Sequence, residues 1–153
     1  MTEFVASNKC FTAIKHYEPL RCFAYKDYSG TLRVGYYHAK NVKSSDVIND
    51  EIANNYLKED IQECESRINR LTLNPNQNQF DALVVFIFYF GISSMIESDL
   101  LKLIRENIHS IAIYDEFLKT NNVNEGFHEK MNRLKRCRTI AELYFTGKLD
   151  FTA

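Results

Sequence analysis

The stretch IKHYEPLRCFAYKDYSGTLRVGYYH, from Ile14 to His38, decides how this chain is read. It opens inside a helix. Phe11, Ile14 and Glu18 are spaced by three, four and seven residues, so one helical face carries an apolar stripe that ends in a carboxylate. The helix starts after Ser7, and Pro19 disfavours helical backbone at Glu18, so it stops there. From Cys22 to Tyr37 the pattern changes to two short aromatic, β-prone runs, CFAY and TLRVGYY. Between them lies KDYSG, whose Asp27, Ser29 and Gly30 favour a turn, and the whole reads as a small β-hairpin.

Beyond a polar loop, a long helix is signalled from about Asp50, with Ile52, Tyr56, Ile61, Cys64, Ile68 and Leu71 spaced to share a face, ending near Asn74 and Pro75. Asn76 and Gln79 form a helix cap ahead of an apolar run, and Gly91 offers a stop, which makes Gln79 to Phe90 the central buried helix. Further helices are expected at about Ser98 to Glu106, Ile111 to Lys119 and Asn132 to Phe145, the last closing at Gly147. The expected architecture is α+β and predominantly helical, with a small N-terminal β-hairpin and a larger helical lobe. No linker or repeat interrupts the 153 residues. One domain over 1–153 follows, about 14–45 forming the helix end and hairpin and about 50–153 the helical lobe.

Hydrophobic residues make up 45% and charged residues 25%, a balance that excludes disorder. Nineteen Lys and Arg against 20 Asp and Glu leave a net charge of −1, without the excess expected of a nucleic-acid binder. Lys130, Arg133, Lys135, Arg136 and Arg138 are a local exception; the plain reading is a solvated helix face, with Glu129 and Glu142 near enough to pair with part of it. Cys10, Cys22, Cys64 and Cys137 are scattered, with no zinc spacing, and read as free buried thiols. No metal or cofactor is called for. The apolar run Ala82 to Phe90 is half of what a membrane span needs, so it reads as a buried helix. MTEFVASNKC lacks the basic and apolar segments of a signal peptide.

Two carboxylates can cleave a glycosidic bond, one protonating the leaving oxygen and the other acting on water or the sugar carbon. Glu18, at a helix C-terminus, faces the negative end of the macrodipole, which raises a carboxyl pKa and suits a general acid. Asp27, on a polar turn, can stay ionised and orient water. On spacing alone, the plainer reading is that Glu18 ends a helix and Asp27 makes a turn.

The wider pattern changes that balance. Glu18, Leu20, Arg21, Tyr25, Asp27, Gly30, Gly35 and His38 together resemble the N-terminal catalytic segment of phage-type lysozymes, without a gap in spacing. QNQFDALVVFIFYFG is similar to that family's central helix, and RLKRCRTIAELYFTG to its closing helix. The resemblance implies a lysozyme-like fold and an inverting muramidase that cuts bacterial peptidoglycan, with Glu18 as general acid and Asp27 orienting water. It implies a structural role for His38, tying hairpin to helix. It also implies an endolysin that gathers in the host cytoplasm and then acts on the cell wall; a monomer is expected.

The chain departs from the pattern at several positions. Arg33 stands where the family has a Thr that positions the attacking water, and an arginine is larger, always charged and unable to accept a hydrogen bond. Facing Glu18, it would oppose the acid; facing Asp27, it would support the base. The hairpin register decides which, and a shift of one residue reverses the face. Pro19 replaces a Gly, Tyr37 replaces the Gly before His38, and Tyr89 replaces an Asn. Tyr25, Tyr28, Tyr36, Tyr37 and Tyr89 are candidates to line a sugar groove, Tyr25, Tyr37 and Tyr89 foremost. The alternative function is a lysozyme-fold module that binds peptidoglycan or a protein partner without cleaving, should Arg33 disable the site by filling the cleft or locking the carboxylates in an ion pair.

Overall fold

In the computed structural model, which describes residues 3–119 and 126–151, the side chain of Ser7 accepts a hydrogen bond from the Lys9 amide and starts α1, Asn8–Tyr17. Ser7 is itself held by the buried Asp81, which accepts from both its amide and its hydroxyl. Glu18 caps the other end in extended conformation, its amide still donating to the Ile14 carbonyl, as the following Pro19 requires.

Strands β1 (Arg21–Lys26) and β2 (Leu32–Gly35) pair antiparallel, Tyr25 opposite Arg33 and Lys26 opposite Leu32, with an irregularity between Arg21 and Tyr25. Tyr36 and Tyr37 lie past the end of β2, in a turn. The hairpin is fastened to α2 (Asp50–Asn69) by His38, whose ring bonds Asp60 at 2.8 Å through Nδ1, bonds the Lys40 carbonyl through Nε2 and stacks on Tyr56. That is the structural role expected of it.

The buried stripe of α2 is Ala53, Leu57, Ile61, Cys64 and Ile68. Ile52, 38% exposed, and the half-buried Tyr56 were expected on it and lie to one side. Their apolar character mimics a stripe that Ala53 and Leu57 carry at the correct helical spacing. The helix also ends several residues before Asn74.

Asn76 and Gln79 form a reciprocal capping box at the start of α3, Gln77–Glu97, and every residue from Gln79 to Ile87 is buried. This helix is long and apolar enough to suit a membrane span, and here it forms the core. Gly91 breaks the helical backbone, with φ 79° and ψ 159°, but a second helical segment resumes and runs on to Glu97. α4 (Leu100–Glu106), α5 (Ala112–Leu118) and α6 (Phe127–Thr146) complete the helical part, α6 packing along α3 and closing at Gly147 in left-handed conformation. α6 begins earlier than the Asn132 expected for it. All four cysteines are free thiols; Cys22 is half-buried, and the other three are buried.

Candidate active site

Glu18 and Asp27 line the same open cleft, of about 730 Å³, between the hairpin and helices α3, α5 and α6. Tyr25, Tyr37 and Tyr89 line it with them. Tyr28 lies at its exposed edge. Tyr36 does not belong to it: the side chain is buried on the other side of the turn and its hydroxyl donates to Asp50 of α2 at 3.1 Å.

Asp27 is held by its own turn. Oδ1 accepts from the Ser29 amide at 2.9 Å, the Ser29 hydroxyl at 2.6 Å and the Thr31 amide at 3.0 Å. Oδ2 accepts from Arg33 Nε at 2.6 Å. Burial pushes its pKa up, but the bonds from Arg33, Ser29 and Thr31 outweigh it and hold the carboxyl below its ordinary range. These bonds favour the ionised form of Asp27.

Glu18 has the opposite environment. Burial raises its pKa, and the charges of Arg136, Arg33 and Arg21 and the nearby Tyr89 hydroxyl only partly offset the rise. The direction is the one expected from a helix end, but the principal cause is burial. Tyr89 Oη is buried beside Glu18, and burial together with the Glu18 charge pushes the Tyr89 pKa well up.

Arg33 faces Asp27 and does not fill the cleft, of which it is not a lining residue. Its Nη1 donates to the Tyr37 carbonyl at 2.8 Å, and its guanidinium lies over the Tyr37 ring at 3.5 Å.

Arg133 and Arg136 are the residues that reading the sequence missed. The basic run of α6 is not wholly a solvated face: Arg133 is buried, and both line the cleft, Arg136 over the Tyr89 ring at 4.9 Å. Their spacing of three residues, one helical face, was the available signal. Among the described residues no cluster of metal-ligating side chains occurs.

The phage lysozyme family model matches residues 15–140. The chain is 37% identical over 114 residues to an endolysin of Acyrthosiphon pisum secondary endosymbiont phage 1, covering 74% of this chain and 77% of that protein. Its structure superimposes on an endolysin from Escherichia coli O157:H7 phage FAHEc1 with TM-score 0.80 and 25% identity, over 97% of this chain and 98% of that one. The muramidase domain of SpmX from Asticaccaulis excentricus gives TM-score 0.76 and 26% identity, over 92% and 97% of the two chains. Because the matched residues include the helix-end glutamate, the aspartate turn, the core helix α3 and the cleft arginines of α6, the likeness extends from the core to the cleft, and the chain belongs to the phage lysozyme family.

Proposed function

We propose that Glu18 is the general acid and Asp27 the water-orienting carboxylate of this enzyme. As a phage lysozyme the protein is a glycoside hydrolase that degrades bacterial peptidoglycan. One observation carries the assignment: two carboxylates share one open cleft, and their surroundings push them in opposite directions, Glu18 toward the protonated form and Asp27 toward the anion. In the reaction, Glu18 gives its proton to the glycosidic oxygen as the bond to the sugar carbon breaks. Water held on Asp27 attacks that carbon from the opposite face, and its proton passes through Asp27 to solvent. Tyr89 and Arg136 line the cleft beside these carboxylates, where the Tyr89 hydroxyl and the Arg136 charge both act on Glu18.

Arg33 does pair with Asp27, but Glu18 stands outside that pair and Arg33 outside the lining of the open cleft, which favours this reading over a binding module that no longer cleaves. On the same reading the enzyme gathers in the host cytoplasm and meets the wall once the membrane is opened. The test is clearing of purified peptidoglycan by the wild type, Glu18→Gln and Asp27→Asn, each checked for folding. Glu18→Gln is expected to lose about 100-fold to 10,000-fold in rate. A folded Glu18→Gln protein with wild-type clearing would overturn the assignment, and three proteins that sediment with the wall without clearing it would favour the binding module.

A further inference from the structure

We infer that Arg33 is a positioning residue for Asp27, seated on Tyr37, and that the pair acts as one unit. The inference rests on Asp27 being the water-orienting carboxylate. An ionised carboxylate offers about four lone-pair directions, two on each oxygen. Oδ1 already takes three donors from the turn, so it has no capacity left for water. Among the described residues Oδ2 takes a single donor, Arg33 Nε, and so keeps one direction open. Asp27 lines the cleft and Arg33 does not; Arg33 borders a separate hollow of about 160 Å³, with Lys40, Asp60 and Arg67, on the other side of Tyr37. The guanidinium thus approaches the carboxylate from behind, and the remaining lone pair of Oδ2 is the one left for water in the cleft.

What fixes Arg33 there is Tyr37, twice over. Its carbonyl accepts from Nη1 at 2.8 Å, and its ring lies 3.5 Å under the guanidinium. Both contacts come from a residue whose φ is 67°, a backbone setting unusual for a tyrosine. The ring is braced in turn by Tyr89, 5.4 Å away between centroids, and by Phe88. Arg33 and Tyr37 are two of the positions where the chain departs from the pattern it resembles, and the geometry makes the two departures one device. One rigid plane that donates through Nε and Nη1 while its face rests on a ring is needed for this, and the compact ammonium of lysine cannot supply all three contacts at once.

The experiment is steady-state turnover of solubilised peptidoglycan by Arg33→Met, Arg33→Lys, Tyr37→Ala and the Arg33→Met/Tyr37→Ala double variant, beside Asp27→Asn. Alanine at 37 keeps a Cβ, so only the ring is lost. Arg33→Met is expected to lower kcat by roughly tenfold to a hundredfold with KM changed less than about twofold, because the water site and not sugar binding is disturbed. Tyr37→Ala should lower kcat as well, and the double variant should be no worse than Arg33→Met, the signature of a coupled pair. The polar and charged groups facing Asp27 are Arg33, Ser29, Thr31 and Tyr37; with the first removed, the acidic limb of the rate profile should move to higher pH. Arg33→Lys keeps the charge, and its partial loss would show that the fork matters even if the methionine variant folds poorly. Full activity in Arg33→Met, or losses that simply multiply in the double variant, would overturn the inference. Wild-type activity in Asp27→Asn would instead overturn the role given to Asp27, so the two failures are distinct.

Discussion

Glu18 and Asp27 carry the same functional group, and their neighbours separate them. Activity requires Glu18 protonated and Asp27 ionised. It therefore falls as pH rises through the raised Glu18 value and falls again as pH drops through the lowered Asp27 value. The profile of kcat/KM should be a bell whose alkaline limb lies above the ordinary carboxyl range and whose acidic limb lies below it. Among the charges that face Glu18, Arg136 is the strongest force against its rise. Arg136→Met removes it, so the alkaline limb should move to higher pH. A limb that stays in place, measured on the folded variant, would mean that another group governs the fall.

At the scale of elements, α3 combines a well-made start with an interruption. The capping box of Asn76 and Gln79 satisfies amides that a helix start leaves open. Gly91, at φ 79° and ψ 159°, occupies a region open essentially to glycine alone. A Cβ added at Gly91 meets nothing within 4 Å, so steric crowding is not what excludes a side chain there. Gly91→Ala should therefore cost about 1–3 kcal/mol through backbone strain alone, seen in urea unfolding as a lower midpoint with unchanged slope. An unchanged midpoint would show that the helix can run straight through this position. The break re-aims the chain: Ser94, Glu97 and Ser98, on the segment beyond it, line the far part of the cleft.

For the molecule as a whole, the cleft exists only while the hairpin keeps its place against the helices, and His38 is the main polar tie between hairpin and α2. Burial pushes its pKa down, but the hydrogen bond and charge of Asp60 outweigh that and raise it above the ordinary 6.5. A raised histidine contributes stability that is fully present below its unfolded value and is lost as pH rises through the folded one. Asp60→Asn should therefore lower stability by about 1–2 kcal/mol near pH 5.5, with the difference from wild type shrinking as the solution becomes alkaline. Chemical denaturation at a series of pH values would decide it. A difference that grew with pH would mean that His38 is held neutral.

What the sequence by itself determined is the chemistry that acts over a few residues. Ser7, Pro19, the Asp27 turn and the Asn76 cap each act on neighbouring backbone, so both ends of α1, the hairpin and the start of α3 were legible. Glu18 and Asp27 were legible as candidates for the same reason. The tertiary structure alone decided three things. A strand alternates faces with a period of two, so only the observed pairing of Tyr25 with Arg33 turns Arg33 toward Asp27. Arg136 reaches the cleft because α6 packs along α3, a contact between distant parts of the chain that no local pattern announces. The pKa of Glu18 rises chiefly through burial in the cleft wall, and burial is a property of the assembled fold.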